Sequence, residues 1–284
     1  MILQELLRKA ERTLASYHIA DARNEAEWLL MHSLGIGRVE LYTKLEQPLL
    51  ASEAERFWEL IQHRCRHMPA AYILKQCQFY GIDFYIDSRA LIPRPESELL
   101  VETTLEFISQ RFSPEVPCSI ADVGTGSGVL AIALALHLPR AKIYAIDVSA
   151  AALEVARINC RKHGVEESVH LFLGDMVQPL PEKVDVILAN LPYVRDSELP
   201  QLSPEIRNFE PTIALAGGFD GLEKMRQLLP QAKQKLLPKG LALLEIGWGQ
   251  GTAATALAKT YFPTAKVDLI PDLGKIDRVL RIMT

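Results

Sequence analysis

Nowhere among the 284 residues does an apolar run approach the roughly 20 residues that span a bilayer, so no membrane-spanning helix is expected. Cysteine is scarce. There are four, Cys65, Cys77, Cys118 and Cys160, and none forms a CxxC pair. A chain of this size can bury a core without disulfide staples, which points to a reduced, cytoplasmic protein. Positive charge is not in excess. The formal net charge is −4, so the broad basic field of a protein that grips nucleic acid is missing and no stable nucleic-acid binding is expected. His63 and His67 stand four apart, but the intervening HRCRH sequence lacks the glutamate of a zinc-hydrolase helix, and no metal site is expected. The first residues, MILQELLRKAERTL, mix acids into an apolar pattern and do not read as a secretory signal. With 49% hydrophobic and 23% charged residues, disordered, collagen-like and coiled-coil classes are excluded.

What is present divides into two grammars. Residues 1–75 read as helices, with Leu3, Leu6, Leu7 and Ala10 at helical spacing, then Ala22, Ala26, Leu29 and Leu30, and later Phe57, Leu60 and Ile61. Ser52 with Glu55 reads as a capping box opening the last long helix. His63, Arg64, Arg66, His67 and Lys75 gather without an intervening acid and read as a small basic patch or a solvated face. Residues 76–90 turn aromatic and alternating, which predicts a hairpin linking two domains. From residue 91 onward helices alternate with near-continuous apolar strands: SIADVG, AKIYAID, VHLFLGD, VDVILAN and LALLEIGW. That pattern means a sheet covered on both faces, hence a doubly wound α/β fold. AKVDLIPDL and RVLRIM are too close for a crossover helix and predict an antiparallel C-terminal hairpin.

Chemistry gathers at strand ends. Gly124-Thr125-Gly126-Ser127-Gly128 follows the first strand of this region and opens a helix, where glycines allow close approach to a ligand. The spacing is GxGxG, one residue short of a dinucleotide fingerprint. Asp147 ends the next strand, where a carboxylate can accept both hydroxyls of a ribose. Asp175 and Met176 follow the third, suited to an adenine amino group and ring face. Together with Asp122 these acids would repel a diphosphate but not an adenosine carrying a sulfonium, and with the next motif added they point to S-adenosylmethionine. Asn190-Leu191-Pro192-Tyr193 closes the fourth strand, and an Asx turn is the plain alternative.

Asn190-Leu191-Pro192-Tyr193 resembles the (N/D)PPY motif of methyltransferases acting on planar nitrogens. LIPRPESELLVE (91–102), ADVGTGSG (121–128), NLPYV (190–194) and FEPTIALAGGFDGL (209–222) narrow the resemblance to the protein release factor glutamine N5-methyltransferases, over essentially the whole chain. The resemblance implies a Rossmann-like class I methyltransferase sheet (residues 91–284) behind a small helical substrate-docking domain (1–75). It implies methyl transfer from S-adenosylmethionine to the side-chain amide of the glutamine in a release factor's Gly-Gly-Gln loop. Asn190 and the Leu191 carbonyl would then accept the two amide N–H groups, with Pro192 and Tyr193 shaping the pocket. Gly124, Thr125, Gly126, Gly128, Asp147, Val148, Asp175, Met176, Asn190 and one of Phe84 or Tyr85 would line the cofactor. Pro93 and Arg94 would support that wall, and Glu210 and Pro211 would brace the active-site loop. Leu191 departs from the usual proline, but the role there belongs to a backbone carbonyl, and Pro192 still holds residue 191 extended.

Further expectations concern the surroundings. Residues 195–211 are expected to be a long irregular segment serving as lid or partner contact. Glu245 is expected at the sheet edge, and a monomer is expected because the substrate is itself a large protein. The patch around Arg64 and Arg66 would steer an acidic partner. The rival readings are an adenine N6-methyltransferase of DNA or RNA, disfavoured by the net charge; an NAD-dependent oxidoreductase, disfavoured by the glycine spacing; and a noncatalytic release-factor-binding module.

Overall fold

The computed structural model describes residues 2–111 and 117–284, in two compact units. The first is Met1–Gln76 together with Ser203–Phe209. Its helices are α1 (Leu3–Ser16), α2 (Ala22–Leu34), α3 (Arg38–Thr43), α4 (Ala51–Cys65) and α5 (Ala70–Leu74). The apolar stripe predicted for α1 is the face it buries: Leu3, Leu6, Leu7, Ala10 and Leu14 pack with Ala26, Leu29 and Leu30 of α2 and Phe57 and Ile61 of α4. Gly35 ends α2 in the left-handed region at φ 65°, where a side chain would be strained. The cap of α4 differs from the expected one. Glu53, not Glu55, reaches back to the Leu50 N–H at 3.0 Å, so the helix begins one residue before Ser52.

The second unit, Cys77–Leu202 with Glu210–Thr284, carries the sheet. A short antiparallel hairpin, β1 (Cys77–Phe79) and β2 (Ile82–Phe84), comes first, then α6 (Glu98–Arg111). The sheet strands are β3 (Ser119–Val123), β4 (Lys142–Asp147), β5 (Val169–Leu173), β6 (Val184–Ala189), β7 (Leu236–Glu245), β8 (Lys266–Pro271) and β9 (Asp277–Met283). The interleaved helices are α7 (Val129–His137), α8 (Ala150–His163), α9 (Pro204–Phe209, grouped with the first unit), α10 (Glu223–Lys235) and α11 (Gly251–Tyr261).

Strand order is β5-β4-β3-β6-β7-β9-β8. Crossovers, helical except for the turns between β5 and β6, make β3 to β7 parallel, while the five residues after β8 allow only a hairpin, so β9 runs antiparallel to both β7 and β8. This is the Rossmann-like sheet and terminal hairpin that the sequence predicts. Its two faces bury separate cores, one holding Ile120, Ile143, Val186 and Leu243, the other Val123, Ile146, Ile187 and Leu244, which is why the strands read as apolar without alternation.

The sheet order reverses beside β3: the chain runs first to β4 on one side and then to β6 on the other. Ligands of open α/β sheets bind at the carboxyl ends of the strands flanking such a reversal. Residues 195–211 depart from the expected irregular loop. They hold a 3₁₀ turn at Leu199–Gln201 and the helix α9. Arg64 also departs from a surface patch. It is 3% exposed and ion-paired to Glu25 and Glu205, so its charge is already neutralised within the first unit.

Candidate active site

At the reversal point a cavity of about 200 Å³ opens among the carboxyl ends of β3, β4 and β6. The loop after β3 forms its floor. Gly124 and Thr125 both donate their N–H to the Ile146 carbonyl, at 2.8 and 3.0 Å, turning the chain back toward β4. Gly124 sits at φ +74°, and a Cβ there would stand 3.1 Å from Leu191 Cδ2, so the glycine loop and the Asn190–Tyr193 segment pack directly on each other. Gly128 sits at φ +83°, and a Cβ there would stand 3.1 Å from the Ala156 Cβ. Its smallness serves the packing of α7 on α8 and not the cavity.

Asp147 is held by two backbone donors, Gly126 N–H to Oδ2 and Ser149 N–H to Oδ1, each at 2.8 Å. Burial raises its pKa, and these hydrogen bonds oppose the rise. Asp122 lies beneath the loop, fully buried. Its Oδ2 accepts from the Thr125 hydroxyl at 2.6 Å and the Ala131 N–H at 3.2 Å, while Oδ1 has no partner among the described residues. Burial pushes this carboxyl up to about 7. Asp122 therefore braces the loop from below.

Asn190 follows β6 and lines the cavity with Leu191 and Pro192. Its Nδ2 donates to Ser97 Oγ at 2.8 Å, and Ser97 Oγ donates to Glu245 Oε2 at 2.5 Å. The Tyr193 hydroxyl donates to Glu245 Oε1 at 3.1 Å, and burial beside that carboxylate pushes the phenol well above its ordinary range, keeping it neutral. Gln250 clamps the motif's far end: its Nε2 donates to the Tyr193 carbonyl at 3.0 Å while its Oε1 accepts the Gly247 N–H at 2.8 Å. Val194 pairs with Ala216 in an isolated parallel bridge, with Val194 N–H on the Leu215 carbonyl and Gly217 N–H on the Val194 carbonyl. The segment that follows the motif is thus stitched at both edges.

Of the residues singled out in the sequence, the cavity brings together Gly124, Gly126, Asp147, Val148, Asp175, Met176, Asn190, Leu191 and Pro192. Others lie elsewhere. Phe84 does not face the cavity: its ring is fully buried against Phe79 and His163, because both hairpin strands turn an aromatic into the core. Tyr85 is also off the cavity, with its hydroxyl on Asp87 and its N–H on Asn159. The wall expected from those aromatics comes instead from Arg89, Ala90 and Leu91. Thr125 spends its hydroxyl on Asp122, and Gly128 packs helices. Tyr193 lines a neighbouring cavity of about 330 Å³ with Gln201 and Trp248. Pro211 joins the first cavity's wall, and the buried Glu210 pairs with Arg94 at 2.6 Å. Glu245 is not on an edge strand, because β6 and β9 pair with β7 on its two sides; it stands at the carboxyl end of β7, hydrogen-bonded to Ser97 and Tyr193.

Sequence reasoning missed Ser97, Gln250, Ile213, Ala214 and Lys224 as neighbours of the site. Ser97 had a signal in its place inside the 91–102 stretch, and Ile213 and Ala214 in theirs inside the 209–222 stretch; Gln250 and Lys224 had none. The described residues contain no cluster of His, Cys, Asp and Glu suited to a metal. No helix among them is long and apolar enough to cross a membrane.

Known proteins bear on this arrangement. Residues 5–74 match the family model described as the PrmC N-terminal domain, and residues 97–204 match the methyltransferase small domain. The release factor glutamine methyltransferase of Moorella thermoacetica is 41% identical over 279 residues, covering 98% of this chain and 97% of that protein. The protein of the same description from Geobacter sulfurreducens is 38% identical, covering 94% and 91%. Among solved structures, a methyltransferase from Pyrococcus furiosus superposes with a TM-score of 0.52 at 19% identity, over 72% of this chain and 89% of that one, a likeness of fold.

Proposed function

Because the chain belongs to the release factor glutamine methyltransferase family, we propose that it methylates the side-chain amide nitrogen of the glutamine in the Gly-Gly-Gln loop of peptide chain release factors, with S-adenosylmethionine as cofactor. The observation that carries the reading is an asparagine amide tethered at the cavity wall, directly before the backbone carbonyl of Leu191 in a Leu-Pro segment that lines the same cavity.

The donor set fits the cofactor. The Asp147 carboxylate, oriented by two backbone N–H groups, retains lone pairs for ribose hydroxyls. Asp175 and Met176 stand on the same wall for the adenine. Arg89 and Lys224 line the cavity beside Asp147 and Asp175, so the fit rests on the ribose and adenine contacts of these acids and not on a net negative rim. When bound, S-adenosylmethionine supplies an electrophilic methyl group on a sulfonium.

The protein's task is the nucleophile. An amide nitrogen is weakly nucleophilic because its lone pair is delocalised into the carbonyl. Asn190 Oδ1 would accept one N–H and the Leu191 carbonyl the other, fixing the nitrogen in line and stabilising the positive charge it gains. Its proton becomes acidic only as that charge develops, so no strong base is required. Leu191 serves as well as proline here, since the acceptor is backbone. The helical unit at residues 1–75 is read as the part that docks the release factor. We read the enzyme as a cytoplasmic monomer that does not hold nucleic acid stably. The net charge of −4 and the four free cysteines support that reading.

The test is the intact mass of purified release factor after incubation with this protein and S-adenosylmethionine, with peptide mapping. One added methyl on the Gly-Gly-Gln glutamine, absent with Asn190→Ala, is the expected result. No methyl on the release factor while cofactor binding is intact would overturn it.

A further inference from the structure

We propose that Ser97 and Glu245 are positioning residues for the methylation assigned above, forming a buried relay that fixes which face of the Asn190 amide meets the substrate. The inference rests on that reading of the function and deepens it.

Ser97 Oγ carries a single hydrogen and sits between two partners, Glu245 Oε2 at 2.5 Å and the Asn190 side chain at 2.8 Å. A carboxylate can only accept, so the serine proton belongs to Glu245. Toward Asn190 the serine is left with a lone pair and can only accept. The amide must therefore present its NH₂ to Ser97. Turned over, it would set Oδ1 against Oγ with no hydrogen between them. The orientation of the one side chain offered to the substrate thus follows from the charge of Glu245, two side chains away. Asn190 then has Oδ1 left over as an acceptor, which is what an incoming amide N–H requires.

The surroundings favour this wiring. Ser97 and Glu245 are 3% and 4% exposed, so water does not compete for either hydrogen bond. Glu245 is faced by the Tyr193 phenol on its other oxygen, by the Arg278 guanidinium from β9, and more distantly by Glu96. Burial raises the Glu245 pKa, while the Ser97 and Tyr193 hydrogen bonds and the Arg278 charge oppose that rise. The three relay residues come from rigid places: the turn before α6, the end of β7 and the end of β6. Asn190 follows β6 and Glu245 ends the neighbouring parallel β7, so both reach the same end of the sheet, and Ser97 bonds to each of them there. The relay also ties Tyr193 to Asn190 through one carboxylate, so the two ends of the motif share a support.

The experiment is steady-state methylation of release factor by the full-length protein and by Ser97→Ala, Ser97→Thr and Glu245→Gln. It is paired with melting temperatures, cofactor affinity, and hydrogen exchange of the Asn190 side-chain NH₂ followed by NMR. Ser97→Ala is expected to lower kcat roughly 10- to 100-fold, a scale typical of losing a preorganised group. The KM for S-adenosylmethionine and the melting temperature stay near wild type, and the Asn190 NH₂ loses its protection. Ser97→Thr keeps the hydroxyl and restores kcat to within a few-fold. Glu245→Gln can offer either an oxygen or an NH₂ to Ser97, so it is expected to fall between the two. If Ser97→Ala turns over like wild type, or loses activity only in step with its melting temperature, the relay is wrong while the methylation stands. If wild type transfers no methyl in the same assay, the functional reading falls and the relay with it. NMR protection unchanged in Ser97→Ala would also overturn the relay.

Discussion

The two units bury charge in opposite ways. In the helical unit each buried charge meets a counter-charge. Glu27, 1% exposed, is paired with Arg23 and Arg38 and hydrogen-bonded by Tyr42, and Arg64 is clasped by Glu25 and Glu205. At the carboxyl edge of the sheet, Asp122, Asp147 and Glu245 are held by neutral donors: hydroxyls and backbone N–H groups. A buried charge with its counter-ion is spent on holding helices together. A carboxylate hydrogen-bonded by neutral donors keeps lone pairs that a ligand site can use, and at Glu245 the Arg278 guanidinium offsets part of the charge. Glu210, paired with Arg94 behind the cavity wall, follows the first pattern inside the second unit and marks a bracing role.

The contrast can be broken most sharply at Asn190. Asn190→Ala removes an acceptor that acts on the reacting nitrogen and should lower kcat on the order of a thousandfold, about 4 kcal/mol, with melting unchanged. Single-turnover methylation of release factor measures it, and a loss below tenfold would remove Asn190 from the chemistry. In the helical unit the largest effect should be on stability. Arg64→Ala leaves Glu25 half-buried without its partner and should cost about 3 kcal/mol, read from urea unfolding, with kcat little changed once the protein is folded. A surface-like cost under 0.5 kcal/mol would erase the distinction between the units.

Asp122 sharpens the comparison through pH. Its folded pKa, pushed up to about 7, lies above the ordinary value near 4 of the unfolded chain, so the neutral acid favours folding. That contribution is present below about pH 4 and is lost as pH rises through about 7. Asp122→Asn lacks the titration. Relative to wild type it should gain on the order of 2 kcal/mol between pH 4.5 and 7.5, measured by urea unfolding of the cofactor-free protein at ~pH 4.5 and ~pH 7.5. Parallel pH profiles for the two proteins would show that Asp122 is ionised throughout. The smallest effect is expected at Leu191. Leu191→Pro keeps the backbone carbonyl and gives up an apolar contact on Gly124, so kcat should stay within about threefold. A larger fall would assign the leucine side chain a part in holding the loop.

Much of this was open to reading before any coordinates. The helical stripe of α1, the β/α alternation and the antiparallel end hairpin each rest on local periodicity or on a connection too short for a crossover, and local pattern encodes both. The cavity's floor was legible because Gly124, Gly126 and Asp147 are strand-end residues, and strand ends converge in any sheet of this order. Arg64 was misread as surface because its partners are 39 and 141 residues away, beyond any window of sequence. Phe84 was misread as cavity wall because a strand's two faces look alike until the sheet decides which is inward.

The sequence by itself determined the elements, the family and the chemical groups available: an asparagine, a leucyl carbonyl, and acids at strand ends. Tertiary structure alone decided their state. It set Glu245 behind Ser97 and so chose the orientation of Asn190, and it turned the hydroxyl of Thr125 onto Asp122 and away from the cavity. The physical reason is that element formation depends on neighbours in the chain. The proton held by a hydroxyl, the charge of a buried acid and the direction of an amide depend on neighbours in space.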